Sequence, residues 1–168
     1  MADGLGKHSK IYKLILYGGV EFLIDREDAE RVHEHKWVKN YNKKSKSIYA
    51  YTFIDGKRIK LHRFLMNAPI GFEVDHINHD AKDNRKSNLR VCTRLENARN
   101  REKYRTNKFG FKGVQQDKRI KIERYQSSIT VDNKTIYLGS FSNVIDAAKA
   151  YDIAAKKYFC QFASLNFK

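Results

Sequence analysis

The sequence predicts an α+β fold: a β-rich N-terminal element leads into a strand–loop–strand–helix core, and a three-stranded antiparallel sheet packed on one helix follows. Three observations support this. Apolar residues alternate with period two in short segments that stop at Gly, Asp or Asn turns, the pattern of hairpin strands. The stretch Leu61–Arg101 passes from such segments into a capped, Arg-rich helical pattern. Finally, Val144, Ala147, Ala148, Tyr151, Ala154, Ala155 and Tyr158 form a stripe of helical period.

In chain order, Met1–Lys10 is polar and Gly-containing and reads as a disordered lead. Ile11–Ile24 carries apolar residues on both sides of Gly18-Gly19 and predicts a hairpin. Asp25–His35 follows as a helix, with Asp25 as N-cap and Asp28 completing a capping-box-like start. His33 and His35 lack a nearby ligand partner and read as structural or solvated. After the Lys-rich loop Asn42–Ser47, Ile48–Phe53 is a strand, Asp55-Gly56 a turn and Arg58–Leu61 the returning strand. This N-terminal element shows no chemistry of its own. Phe72–His76 and Leu89–Cys92 are strands on either side of the polar loop Ile77–Ser87, and a helix begins at Thr93, which has capping-box spacing to Glu96.

Residues 104–110 form a basic linker in which Gly110 marks a boundary. The chain thus divides into a lead at 1–10, a first domain at 11–103 with its motif core at 61–101, and a second domain at 111–168. In the second domain Tyr125–Val131 alternates, Asp132-Asn133 turns, and Thr135–Leu138 returns. Asn143 caps the helix that carries the apolar stripe.

The charge narrows the function. With 34 Lys+Arg against 19 Asp+Glu, the formal charge is +15, which calls for a polyanionic partner, nucleic acid before an anionic membrane. No apolar run approaches the ~20 residues of a membrane span, and the N-terminus lacks the apolar core of a signal peptide, so the protein reads as soluble and intracellular. Cys92 and Cys160 stand far apart with no CxxC pair, which excludes a disulfide framework or Cys-rich zinc site; both read as small buried apolar residues.

Hydrolysis of a phosphodiester needs an activated water, a cation for the charge on the phosphoryl oxygens and help for the leaving oxygen. Asp75 and His76 are neighbours in a strand and point to opposite sides, so the carboxylate can hold a metal while the imidazole serves the substrate. Asn88 and Asn97 follow at spacings that let the loop and helix fold back on that strand. A carboxamide oxygen is a hard, neutral ligand suited to Mg²⁺. Arg94, Asn97 and Arg101 share one helix face.

These residues, in the pattern HR…VDHIN…DNR…SNLR…T…N, resemble the HNH or ββα-metal nuclease motif, particularly that of phage and intron-encoded homing endonucleases. The resemblance implies that His76 is the general base, that Asp75 and Asn97 hold one Mg²⁺ or Mn²⁺ ion per active site, and that Asn88 braces the loop. Asn97 stands where the family name has its last His. Asn100 lies one turn further and is the alternative ligand. His62 matches a recurrent family position, as a support for the loop or a substrate contact, and His79 falls where relatives often have Gly; neither is assigned to catalysis. Arg90, Arg94, Arg99, Arg101, Arg105 and Lys108 are expected to track phosphates.

Residues 108–168 resemble the plant Apetala or ethylene-response-factor DNA-binding domain through FKGV, IYLGSF, DAAKAYDIAAKKYF and ASLNF. That resemblance implies a sheet laid in the major groove with a helix behind it, and puts DNA contacts on Lys112, Gln115, Arg124, Thr130, Thr135 and Tyr137. Several of these are Arg or Trp in plant members, and the family's Pro-Trp is missing, so its target sequence does not carry over. The expected protein is a site-specific endonuclease of phage-infected or intron-bearing bacteria. It would act on double-stranded DNA as a monomer that nicks one strand, without an obligatory protein partner; a dimer would be required for a double-strand cut. The alternative is a catalytically silent DNA-binding regulator. An RNA-binding protein is disfavoured, because A-form RNA hides its major groove.

Overall fold

Hairpin turns organise both halves of the chain. The computed structural model describes residues 10–43, 46–100, 108–118 and 122–167. The chain divides into two compact units, residues 1–94 and 95–168. The boundary falls between Arg94 and Leu95; of the basic linker expected at 104–110, residues 104–107 lie outside the described residues, as does most of the expected lead.

In the first unit, β1 (Ile11–Leu16) and β2 (Val20–Asp25) form a two-stranded antiparallel sheet. Its turn places Gly18 and Gly19 at φ 78° and 72°, a left-handed pair that residues with a Cβ rarely adopt. A 3-10 turn (Arg26–Asp28) leads into the short helix α1 (Ala29–His33). The expected capping role of Asp25 does not form. Its carboxylate instead accepts the backbone N–H of Lys86 at 2.7 Å, a partner sixty-one positions away that local pattern cannot reveal.

β3 (Val38–Asn42), β4 (Ser47–Ile54) and β5 (Lys57–Lys60) make a second antiparallel sheet in the order β3-β4-β5. The returning strand ends one residue earlier than expected, because Leu61 opens a helix, α2 (Leu61–Leu65), and is buried there. β6 (Glu73–His76) and β7 (Leu89–Cys92) pair in register, with Asp75 opposite Arg90 and His76 opposite Leu89. Phe22, Ile24, Val32, Leu61, Val74 and Leu89 join one core under all three sheets, so β6 and β7 rest on the N-terminal element.

The second unit begins in the helix α3 (Arg94–Arg99) and holds β8 (Val114–Gln116), β9 (Tyr125–Val131) and β10 (Lys134–Phe141) as an antiparallel sheet in the order β10-β9-β8. Asp132 and Asn133 turn β9 into β10 with φ 47° and 63°. The helix α4 (Val144–Phe159) is capped by Asn143, whose Oδ1 accepts the Ile145 N–H at 2.8 Å. Its small residues Ala147, Ala148, Ala154 and Ala155 let it lie close on the sheet, with Val114 and Ile129 buried against it. Phe159, not Tyr158, completes the stripe. Tyr158 is 36% exposed, since one position further round the helix leaves the core-facing arc.

The C-terminal segment is fastened by polar groups. The buried Asp152 carboxylate accepts the N–H groups of Asn166 and Phe167 at 2.8 and 2.9 Å. Asn166 in turn accepts the Lys112 N–H at 2.7 Å. These bonds account for the Asp and the Asn of the DAAKAYDIAAKKYF and ASLNF segments. Among the described residues no helix is long and apolar enough to cross a membrane.

Gly113 is the tightest point of the second unit. With φ 72°, a Cβ here would meet Tyr151 Cδ2 at 2.0 Å and the Ser128 carbonyl oxygen at 2.6 Å. Gly113→Ala is expected to destabilise this unit by about 3 kcal/mol or more, through steric overlap added to left-handed strain. Chemical denaturation followed by Tyr fluorescence and circular dichroism would measure the loss.

Candidate active site

The site in the first unit is built where β6 ends, around Asp75 and His76. Neighbouring strand residues project to opposite sides, and the two side chains find different partners accordingly. Asp75 reaches across the ladder to Arg90, whose Nε and Nη2 donate to Oδ2 at 2.9 and 2.7 Å. His76 turns toward the N-terminal element, its ring 5.0 Å from that of His62 and 6.5 Å from that of Tyr49.

His76 is held by an amide. Asn84 is 1% exposed, and its Nδ2 donates to the Ala81 carbonyl at 3.2 Å, so its Oδ1 is the atom that faces His76. His76 Nε2–H then donates to Asn84 Oδ1 at 3.2 Å. An imidazole protonated at Nε2 carries its basic lone pair on Nδ1. Burial lowers the His76 pKa from its ordinary value, partly offset by the Asn84 hydrogen bond and by the Asp75 charge. Both the ordinary imidazole value and the direction of this shift favour the neutral ring near pH 7.

The loop from Ile77 to Ser87 has little apolar surface to bury and is shaped by side-chain hydrogen bonds. Asn88 accepts the Asn78 N–H through Oδ1 at 3.0 Å, and through Nδ2 it donates to Asn78 Oδ1 at 2.9 Å and to the Asp83 carbonyl at 2.8 Å. Asn78 Nδ2 donates to Asp83 Oδ2 at 3.0 Å, while Arg85 grips both oxygens of Asp83 through Nε and Nη2 at 2.7 and 2.6 Å. That grip keeps the Asp83 pKa below its ordinary value, with the Arg85 hydrogen bond the main cause. His79 takes φ 65°, a left-handed conformation that suits glycine.

The loop is also stitched to β2. Leu23 N–H donates to the Lys82 carbonyl at 2.8 Å, and Asn84 N–H donates to the Leu23 carbonyl at 2.7 Å. Lys86 Nζ meets Glu27 at 2.7 Å and Asp28 at 2.9 Å. The N-terminal element, expected to lack chemistry, is the support of the site. Asn78, Asp83 and Asn84 stand inside the VDHIN and DNR segments but were given no role. Their dense Asn/Asp composition was the available signal, and it reads equally well as an ordinary polar loop.

The remaining expected residues are distributed as follows. Asn97 is half-buried on α3 and Asn100 is buried, both in the second unit, whereas Asp75 belongs to the first. Arg94 is exposed at the start of α3. Arg99 pairs with Asp132 at 3.2 Å and lies over the Phe159 ring at 5.1 Å. Arg101 and Arg105 lie outside the described residues, and Lys108 is exposed. Lys112 Nζ donates to the Ser164 carbonyl at 3.1 Å, and burial lowers its pKa from the ordinary value. Arg124 bonds to the Ser140 carbonyl at 2.6 Å, and Ser140 Oγ reaches the buried Asp117 at 3.1 Å. Lys112 and Arg124 thus serve the fold of their own unit. Gln115, Thr130, Thr135 and Tyr137 remain exposed, and the Thr130 and Thr135 hydroxyls share a hydrogen bond at 3.2 Å.

Among the described residues no group of three or more His, Cys, Asp or Glu side chains is gathered for a metal ion. A hard ion that keeps several waters needs only one or two protein carboxylates, and the Asp75 carboxylate beside a neutral imidazole fits such an ion.

Residues 67–99 match the family model described as HNH endonuclease. The chain is 30% identical over 141 residues to an uncharacterized HNH endonuclease of Acanthamoeba polyphaga mimivirus, an alignment that covers 80% of this chain and 68% of the relative. No solved structure gives a significant match.

The buried imidazoles make stability depend on pH. Burial, followed by the charges of His76, Lys60 and Arg63, holds His62 well below the ordinary imidazole pKa, and His76 is lowered too. In the unfolded chain both accept protons near pH ~6.5. The unfolded state then binds more protons, so this contribution is complete above that pH and is lost as pH falls below it toward the depressed folded values. Urea denaturation at pH 7.5, 6.5 and 5.5 is expected to show falling stability, and His62→Phe a flatter acid limb.

Proposed function

This chain belongs to the HNH endonuclease family, and from that footing we propose that it is a site-specific, metal-dependent DNA endonuclease of the homing type that nicks one strand. The observation that carries the reading is the pair at the end of β6: a buried His76 oriented by a buried amide, next to a carboxylate on the opposite side of the strand. A general base has to be unprotonated at working pH and fixed in direction; the lowered pKa and the Asn84 hydrogen bond of His76 support that reading.

In the proposed reaction His76 takes a proton from water at Nδ1 as the water oxygen attacks phosphorus and the bond to the 3′ oxygen breaks. Asn84 holds the ring by Nε2 throughout, so no tautomer change is needed. Asn88 keeps the loop closed around it. Asp75 and Asn97 would hold one Mg²⁺ or Mn²⁺ ion, which supplies positive charge for the phosphoryl oxygens and the leaving oxygen when bound. Exposed Arg94 and Lys108, together with Arg101 and Arg105, would neutralise backbone phosphates and make affinity fall with salt.

The second unit is proposed as the reader of an address in double-stranded DNA, a sheet of the Apetala type. Gln115 and Gln126 stand opposite each other on β8 and β9, as do Thr130 and Thr135 on β9 and β10, while Tyr137 is 54% exposed beside them. A sheet face of amides, hydroxyls and one phenol offers donors and acceptors to base edges. The protein would act in a phage-infected or intron-bearing host cell. A second reading, a catalytically silent DNA-binding regulator, draws on the engagement of Asp75 by Arg90.

Two experiments decide. Supercoiled DNA with Mg²⁺ should be converted to the nicked form, EDTA should stop the reaction, and His76→Ala and Asp75→Ala should each lower the rate by at least ~100-fold. Equal rates in all three proteins would overturn the mechanism, and no cleavage by the wild type would favour the regulator. Gln115→Ala and Tyr137→Ala are each expected to weaken binding to the selected site by about 1 kcal/mol with little effect on random DNA, as read by gel-shift titration.

A further inference from the structure

Arg90 was expected on the DNA backbone, yet its guanidinium is committed to the site. Asp75 and Arg90 are direct cross-strand partners in β6 and β7. Nε and Nη2 both donate to one oxygen, Oδ2, and two N–H donors use both of its lone pairs. The Arg90 and Asp75 side chains are 13% and 8% exposed, so solvent and salt screen this pair weakly.

We propose that Arg90 is the resident counter-cation of Asp75, a positioning residue that a divalent ion has to displace from Oδ2, and that it thereby sets the metal affinity of the site. The inference rests on the reading of Asp75 as a metal ligand. Two consequences follow from charge alone. Without metal, the guanidinium neutralises a carboxylate that burial would otherwise penalise, so the empty site is stable as folded. When metal arrives, it meets an Oδ2 whose two lone pairs are taken and a positive charge in contact with the carboxylate, and both oppose binding. Arg90 therefore holds affinity down. This is the reverse of the usual hydrogen-bond partner of a metal ligand, whose removal weakens the site.

The test is Mn²⁺ binding to the metal-stripped full chain without DNA, read by the electron paramagnetic resonance signal of free Mn²⁺. Arg90→Gln, which removes the charge, is expected to bind Mn²⁺ at least about tenfold more tightly than the wild type. Arg90→Lys keeps a charge on β7 but presents no fork, and is expected to fall between the two. Circular dichroism establishes that each variant is folded; should Arg90→Gln not fold, the order of Arg90→Lys and wild type decides. Equal or weaker binding in the variants overturns the proposal. Asp75→Asn separates the two levels. If it abolishes Mn²⁺ binding while the Arg90 variants match the wild type, the counter-cation role alone fails. If it leaves the binding of Arg90→Gln unchanged, the ion sits elsewhere and the assignment of Asp75 falls with the proposal.

Discussion

The Asn88 carboxamide is the constraint on which the site depends. The segment between β6 and β7 carries hardly any side chain that could anchor it by apolar burial, and a buried backbone without partners would be costly. Asn88 answers this with one group that both accepts and donates. It closes the loop on Asn78 and on the Asp83 carbonyl, and through Asp83 it reaches the Arg85 fork. Because Leu89 follows it directly in β7, opposite His76, the same amide fixes how the loop returns to the strand that carries the base. A hydrocarbon side chain of similar size would fill the space but take away the partner of the Asn78 N–H and of the Asp83 carbonyl, while Asn78 Oδ1 would keep only the Asp80 N–H.

The first unit supports that loop from below. Phe22 and Ile24 are fully buried in the core that also takes Val74 and Leu89, so β2 and the strands of the site share one apolar layer. His62, at the head of α2, packs its ring against His76, and Tyr49 from β4 lies against His62 at 5.8 Å. Two elements, α2 and β4, therefore line the ring on which the proposed chemistry turns. Burial of the imidazole lowers its pKa, while the Asn84 amide that orients it acts in the opposite direction, and burial is the larger effect.

Much of the fold was legible because local rules carried it. Alternation found β1, β2, β4 and β9, Asp and Asn pairs found their turns, and the Asn143 cap with the alanine stripe found α4. What escaped depended on distant partners. Asp25 looked like a cap because an Asp before a helix usually is one, yet the Lys86 amide outcompeted the helix for its carboxylate. α2 escaped because Leu61 to Leu65 is too short to show a period. In the site, the Asp75-His76 dipeptide and Asn88 stood out by spacing. Asn78, Asp83 and Asn84 lie in the same pattern, but their roles did not follow from it, since an Asn or Asp in a loop looks the same whether it forms a turn or orients a ring. The Arg90 pairing needed the register of β6 and β7, which composition does not specify.

The backbone bonds between Leu23 and the segment Lys82–Asn84 set an order of assembly. They join parts of the chain about sixty residues apart, so closing them costs the entropy of a long loop before any return is gained. During synthesis the β1–β2 hairpin leaves the ribosome well before β6, and it waits as an incomplete template until Asn84 arrives to be aligned on it. His76 acquires its orienting amide only at that moment. A chain interrupted ahead of Asn84 would hold the strand that carries His76 but not the amide that orients its ring.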